Sequence, residues 1–382
     1  MGPAGTRRAH RARAHTLGLG AYASRTLREV PPGPYPHRTR LARIIFLIVM
    51  MKPDHIVIYL SGRCNLACPY CYARGVSKKT ISAAALRSAL SDFAAAKPGH
   101  PKFTILGGEP LLCRVRLDQA IALIRKHFGP GAPVHLFTNG LAFRKDEAKK
   151  LLERGVRITV SLDGRPGAGR PADIPNLPRA LRKDVSVSAV VSPGNAGELL
   201  PNMIYLLGLG FERLAWSPDI TAAWDAAALR HLRTSSKALL LEYLRRLKSG
   251  RGVWELANGY EAVALAARAE KPGPCRNLAL APDGAFYPCD KMLSGTEKQL
   301  RPFRVDADGG GRKKFFSLAS ACGFSSAQSM CPLAPWAAAR FSTKSGPVPR
   351  GQAEARKLAA LWLRAAVKAG LSSPAFRRLH GI

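Results

Sequence analysis

From residue 55 onward, short runs rich in Val and Ile alternate with stretches where Leu, Ile and Ala recur at three- and four-residue spacing. That alternation is the pattern of βαβ units. The apolar runs predict six strands, at His55 to Leu60, Phe103 to Leu106, Val134 to Phe137, Arg157 to Ser161, Val185 to Val191 and Arg213 to Trp216. The helical stretches predict helices at Ser82 to Ala96, Val115 to Phe128, Lys145 to Arg154 and Glu198 to Leu207, whose apolar stripes are most simply core faces. Gly155 is a natural stop before the fourth strand.

Each predicted strand runs directly into a polar, glycine-bearing or proline-bearing turn, among them Gly62-Arg63-Cys64, Gly107-Gly108-Glu109-Pro110, Thr138-Asn139-Gly140 and Leu162-Asp163-Gly164. In parallel α/β barrels chemistry gathers at the carboxyl ends of the strands, and all of these turns fall on that rim. Residues 221–270 read as a helical connection, with Trp224, Leu232, Leu239, Leu244 and Trp254 on apolar faces. After Lys271-Pro272-Gly273-Pro274 the composition changes, and four cysteines fall between 275 and 331. The expected organisation is a basic extension over 1–50, a barrel over 51–220, the helical connection over 221–270, a cysteine-rich unit over 271–345 and a final amphipathic helix within 346–382.

Composition narrows the class. The apolar content of 47% suits a buried core, and the longest apolar run, Ile44 to Met51, is too short for a membrane span. Eight cysteines in tight groups read as metal ligation in a reducing cytosol, not as a secreted disulfide scaffold. Cys113 stands apart and reads as a free thiol. Of the net charge of +34, residues 1–50 hold nine Arg, no Lys and one Glu, so they supply +8 and leave +26. That segment reads either as an Arg-rich nucleic-acid-binding arm or transit-like peptide, or as a non-native extension whose true start is Met50 or Met51. The body is basic either way, which favours acidic partners such as a glutamate-rich peptide or RNA.

Candidate chemistry centres on Cys64, Cys68 and Cys71, a Cys-x3-Cys-x2-Cys triplet on the first rim turn. A structural zinc site wants four protein ligands, whereas three thiolates on one loop suit an iron-sulfur cluster with one exchangeable iron. Tyr70 and Tyr72 would shield such a cluster and offer a flat face. One βα unit later, Gly107-Gly108-Glu109-Pro110 lets a ligand approach the backbone and presents a carboxylate suited to an ammonium group.

Through these two motifs the sequence resembles the radical S-adenosylmethionine (SAM) superfamily over roughly residues 54–220. The resemblance implies an α/β fold, a partial (β/α)6 TIM-like barrel, with a [4Fe-4S] cluster on Cys64, Cys68 and Cys71 whose open iron is chelated by SAM. It further implies reductive cleavage to a 5′-deoxyadenosyl radical that abstracts a substrate hydrogen. By the same resemblance Gly107, Gly108, Glu109 and Pro110 would hold the SAM ammonium, Tyr70 would pack near adenine, and Ser161 with Asp163 would face the ribose. Arg165 and Arg170 are nearby candidates to clamp the carboxylate.

Cys275, Gly284 and Cys289 in Pro-Asp-Gly-Ala-Phe-Tyr-Pro-Cys-Asp resemble the opening of the SPASM or twitch auxiliary domains of peptide and protein modifiers. On the SPASM register Cys322 and Cys331 match two ligand positions, while Ser325 and Pro335 occupy two others. The expectation is a small, shortened C-terminal domain with one auxiliary [4Fe-4S] cluster on Cys275, Cys289, Cys322 and Cys331, a zinc site or an incomplete cluster being the alternative. Asp290 falls where anaerobic sulfatase-maturating enzymes carry a catalytic carboxylate. The implied protein is a cytoplasmic peptide or protein modifier, reduced by a flavodoxin or ferredoxin and served by a separate leader-binding partner, with no membrane involvement. RNA modification, and a non-enzymatic iron-sulfur or zinc protein that binds nucleic acid, remain open.

Overall fold

A computed structural model of the chain describes residues 53–96, 98–257, 276–305, 311, 314, 333–341 and 349–382. The expectations for residues 1–50, and those for Cys275, Cys322 and Cys331, lie outside the described residues.

Strands β1 (His55–Tyr59), β2 (Lys102–Leu106), β3 (Val134–Thr138), β4 (Val156–Ser161), β5 (Ser186–Val191) and β6 (Arg213–Pro218) follow one another in parallel, as the six apolar runs predict. Helices α1 (Ala83–Ala95), α2 (Arg114–Phe128), α3 (Glu147–Glu153) and α4 (Leu199–Gly208) connect them. Ser82 starts α1 by accepting the Ala85 N–H, and Gly155 ends the turn after α3 at φ +69°. A long helix, α5 (Ala226–Ser249), begins at the Asp225 cap and packs beside α6 (Gln352–Gly370).

The sheet is wider than the pattern suggests. Three short strands, β7 (Glu255–Leu256), β8 (Asn277–Leu280) and β9 (Phe286–Tyr287), extend it to nine in the order β7-β6-β5-β4-β3-β2-β1-β8-β9. All neighbours are parallel except β8 and β9. Strands of two to four residues carry no periodicity to read, which is why the sequence does not announce them. The described part of the 271–345 segment therefore adds to the barrel sheet, with β8 in register along β1 from His55↔Asn277 to Ile58↔Leu280.

Strand β1 is apolar on both faces, with Ile56 and Ile58 in one core and Val57 and Tyr59 in another, but β2 to β5 mostly alternate. Ile56, Ile58, Phe103, Ile105, Val134, Leu136, Ile158 and Val187 are all fully buried in one large core. The intervening positions, His55, Thr104, His135, Thr159, Ser161, Ser186 and Ser188, belong to the opposite face by the period of two and are mostly half-buried. Register makes the two sets coherent, since Ile58 pairs with Ile105 and Ile105 with Leu136, whereas Thr104 pairs with His135. The helix-covered face is thus the hydrophobic one, and the opposite face is mostly polar over β3 to β5 but apolar where Val57, Tyr59 and Leu106 meet the second core.

Two histidines on the concave face are tied to neighbouring hydroxyls, His55 Nε2 to Thr104 Oγ1 at 2.8 Å and His135 Nε2 to Thr159 Oγ1 at 2.7 Å. Burial, with Arg157 and His55 adding to it, pulls His135 down to about 4. The folded state therefore resists protonation of a group that the unfolded chain protonates near pH 6.5, so its contribution is present above that pH and is lost as pH falls toward 4. Between pH 7 and pH 5 the share is on the order of 1–2 kcal/mol. Urea unfolding at the two pH values is expected to show this loss in the wild-type protein and a correspondingly shallower one in His135→Gln.

Candidate functional site

The loop after β1 carries the cysteine triplet and is fastened at both ends. Gly62 N–H donates to Ser77 O at 2.7 Å, Ser61 Oγ to Lys78 O at 2.9 Å, and Ile81 N–H to Leu60 O at 2.9 Å. The turn after β2 presses against the same loop, with Gly108 N–H donating to Ser61 O at 2.8 Å and Glu109 N–H to Arg63 O at 2.7 Å. The approach leaves no room for side chains. A Cβ on Gly108 would stand 2.2 Å from Arg63 O, and one on Gly62 2.1 Å from Val76 O. This is the physical reason for glycine in both turns.

Cys64 and Cys71 are exposed and Cys68 is half-exposed. Although exposed, the Cys64 thiol is partly desolvated by the surrounding chain and pushed up, with Glu109 and the other two cysteines adding to the effect, and desolvation likewise raises Cys71. The three sulfurs thus feel one another across one loop. Among the described residues no three His, Cys, Asp or Glu side chains are gathered closely enough to hold a single metal ion. That bears on a mononuclear site; in a cluster each thiolate goes to a different iron. Three accessible thiols on one loop, beside a turn stripped of side chains, fit a cluster with a chelating ligand on its free iron.

Glu109 lies at the centre of the rim, only 1% exposed. Its carboxylate accepts from Leu111 N–H at 2.9 Å, Thr138 Oγ1 at 2.6 Å and Asn139 N–H at 2.7 Å. Burial raises its pKa, and these donors oppose the rise. Pro110 is buried at the start of a short 3-10 turn that Glu109 caps. Asn139 in turn reaches back to the cysteine loop, its Nδ2 donating to Asn65 Oδ1 at 2.8 Å and approaching Cys64 Sγ at 3.8 Å.

Asp163 makes a second buried hub. Its carboxylate accepts from the Tyr70 hydroxyl, from Arg170 N–H at 3.1 Å, from Arg170 Nη1 at 3.3 Å and from Val190 N–H at 2.9 Å. Arg170 lies over the Tyr70 ring, 5.1 Å from its centre, and its Nη1 also donates to Ser188 O at 3.2 Å. Arg165 points elsewhere, into an ion pair with Glu198. Ser161 is half-buried at the end of β4, opposite Ser188. Burial lifts the Tyr70 phenol far above its ordinary value, so it stays protonated and donates to Asp163.

A third cluster joins the triplet loop to the chain after β9. Tyr59 OH donates to Tyr72 OH at 3.1 Å, Tyr72 OH approaches Asp290 Oδ2 at 3.3 Å, and Lys291 Nζ donates to Tyr72 OH at 2.8 Å and to Asp290. Burial alone would lower the Lys291 ammonium, but Asp290 and Tyr72 beside it raise it above the ordinary lysine range. Below this network Val57, Tyr59, Ala73, Val76, Ala279, Met292, Leu293 and Phe303 form a second apolar core. Cys289 is half-buried one residue before Asp290. Cys113 is buried against Arg63 and Thr80, apart from the triplet.

The structure thus brings Cys64, Cys68, Cys71, Tyr70, Glu109 and Asp163 together at the strand ends, and sets Asp290 against Tyr72 of the cysteine loop. Sequence reasoning missed Thr138 and Asn139 as partners of Glu109, and Lys291 and Tyr59 as partners of Asp290 and Tyr72. The Thr-Asn-Gly turn was a visible signal for the first pair; nothing in the sequence marked the second.

Known proteins resemble this chain in sequence and in fold. Residues 58–167 match the family model of the radical SAM superfamily. The GTP 3′,8-cyclase of Parasynechococcus marenigrum is 27% identical over 284 residues, which is 64% of this chain and 81% of that protein. The cysteine-type anaerobic sulfatase-maturating enzyme of Clostridium perfringens is 30% identical over 147 residues, 35% of each chain. In fold, the chain is similar to anSMEcpe with bound AdoMet, with a TM-score of 0.60 at 16% identity, covering 86% of this chain and 98% of that one. The same protein with AdoMet and Cp18Cys peptide gives a TM-score of 0.57 at 17% identity and the same coverage. The family implies a [4Fe-4S] cluster and SAM. The cysteine triplet and the glycine-rich turn both lie inside the segment that matches the radical SAM family model.

Proposed function

We propose that this protein is a radical SAM enzyme that modifies a peptide or protein side chain by hydrogen abstraction. The observation that carries the reading is the docking of the Cys289-Asp290 segment onto the triplet loop, through β8 on β1 and through Asp290 on Tyr72. A carboxylate beside the open side of the cysteine loop is placed to take a proton from a substrate whose hydrogen has been abstracted nearby. The likeness of fold to anSMEcpe, whose structure holds both AdoMet and a peptide, supports the same reading.

In this proposal Cys64, Cys68 and Cys71 hold the cluster. The Gly107 to Pro110 turn takes the SAM amino group on its backbone, since the Glu109 carboxylate is occupied by three donors. Arg170, fixed by Asp163, is the better placed of the two arginines for the SAM carboxylate. Tyr70 walls the adenine side, and Ser161 lies at the ribose end. Bound there, the cluster and SAM supply one-electron cleavage and a carbon radical, which no side chain can provide. Cys289, with Cys275, Cys322 and Cys331, would hold one auxiliary [4Fe-4S] cluster. An acidic flavodoxin or ferredoxin is the proposed electron donor, and leader recognition falls to a separate partner. A second reading, a nucleotide substrate, is favoured by the longer sequence match to the GTP 3′,8-cyclase.

After anaerobic reconstitution and reduction, wild-type protein with SAM is expected to release 5′-deoxyadenosine, and Cys64→Ser, Cys68→Ser and Cys71→Ser each to lower it by about 100-fold or more. Chromatography of the nucleoside decides this, and a wild-type protein that releases none contradicts the reading. Asp290→Asn is expected to lower the ratio of modified peptide to 5′-deoxyadenosine by about 100-fold, measured by mass spectrometry of co-expressed peptides. Turnover of GTP to a rearranged nucleotide under the same conditions would replace the peptide reading with the nucleotide one.

A further inference from the structure

Lys291 has a donor to spare. Of the three N–H bonds of its ammonium, one goes to Tyr72 OH at 2.8 Å and one to Asp290; the Tyr72 ring lies 4.0 Å away, and among the described residues no third hydrogen-bond acceptor is recorded. The Lys291 side chain is 24% exposed against 12% for Asp290. It has also cancelled the charge of the neighbouring carboxylate.

The loop that Lys291 adjoins is free of acids. Between Asp54 and Asp92 the chain carries Arg63, Arg74, Lys78, Lys79 and Arg87 and no Asp or Glu. Lys78 and Lys79 are exposed and belong to no ion pair among the described residues. Arg74 is exposed and holds the Cys68 carbonyl at 2.7 Å, and Arg63 binds Thr80, so neither is neutralised. The two rim carboxylates that could oppose this charge, Glu109 and Asp163, are 1% and 2% exposed and fully engaged with donors. An incoming anion therefore meets cations at the loop and one unspent N–H beside Asp290.

We infer that the mouth beside the cysteine loop takes an acidic peptide segment, with the Lys291 ammonium receiving one of its carboxylates and the loop cations the others. The inference rests on the peptide reading above and narrows its substrate class. A single-stranded nucleic acid would be gripped by stacking its bases on exposed aromatic faces. Here Tyr59 and Tyr70 are buried and the Tyr72 ring is covered by the Lys291 ammonium 4.0 Å from its centre.

Fluorescence anisotropy of the reconstituted full-length protein tests it, using a fluorescein-labelled peptide of alternating Gly and Glu and its Gly and Gln counterpart. The Glu peptide is expected to bind and the Gln peptide to bind at least about tenfold more weakly. Lys291→Met is expected to weaken the Glu peptide about tenfold, with Lys291→Arg restoring it, and Lys78→Gln with Lys79→Gln to flatten its salt dependence. Asp290→Asn is expected to tighten it, because the ammonium is then free of its counter-charge. A structural role alone would have Lys291→Met and Asp290→Asn weaken binding together, and that result, or an unchanged affinity in Lys291→Met, overturns the inference. Displacement of the peptide by oligouridine whose own affinity falls in the same variants would also overturn it, assigning the mouth to nucleic acid. The same preparations are assayed for 5′-deoxyadenosine. Its formation without discrimination between the peptides sinks the inference alone, whereas its absence in the wild type sinks the proposed function and the inference with it.

Discussion

The rim depends on one buried carboxylate. Glu109 takes hydrogen bonds from its own turn and from the turn after β3, while its backbone N–H donates to Arg63 in the cysteine loop. Three chain segments far apart in sequence therefore share one anchor. A buried carboxylate without donors would be costly, so the three donors are a condition of the fold as much as of the site. Asn139, fixed by the same contact, then touches Cys64, and the position of the first cysteine follows from that of Glu109.

Two further joints complete the loop's surroundings. On one side Asp163 binds Tyr70 and Arg170, holding the middle of the triplet against the ends of β4 and β5. On the other, β8 extends the sheet beyond β1 and brings Asp290 and Lys291 to Tyr72. Gly75 lies so close to Ser294 that a Cβ would stand 2.5 Å from its carbonyl oxygen. The segment after β9 is thus a wall of the site. Between these joints the cysteines stay accessible, an arrangement that suits a loop meant to be filled.

Much of this was legible in the sequence, for reasons that can be named. Long amphipathic stretches and their caps, such as Ser82 before α1, have strong local signals, and the triplet with Gly107 to Pro110 is specific because each residue type answers a chemical need. The polar part of the concave face was missed because Val and Ile dominate composition in strands whose alternation is only two residues deep, as in Val-His-Leu-Phe-Thr over 134–138. Strands β7 to β9 are too short to show a period at all. Lys291 was invisible for another reason: its role comes from Tyr72, more than two hundred residues away, and no local pattern reports such a contact.

Electron paramagnetic resonance of the reduced, reconstituted protein with and without SAM tests the central claim most directly, because it asks whether the open iron belongs to SAM. The account requires a four-iron signal whose line shape changes when SAM is added and does so in wild-type protein at stoichiometric cluster content. A signal indifferent to SAM, or a colourless protein that takes up zinc in place of iron, would contradict it.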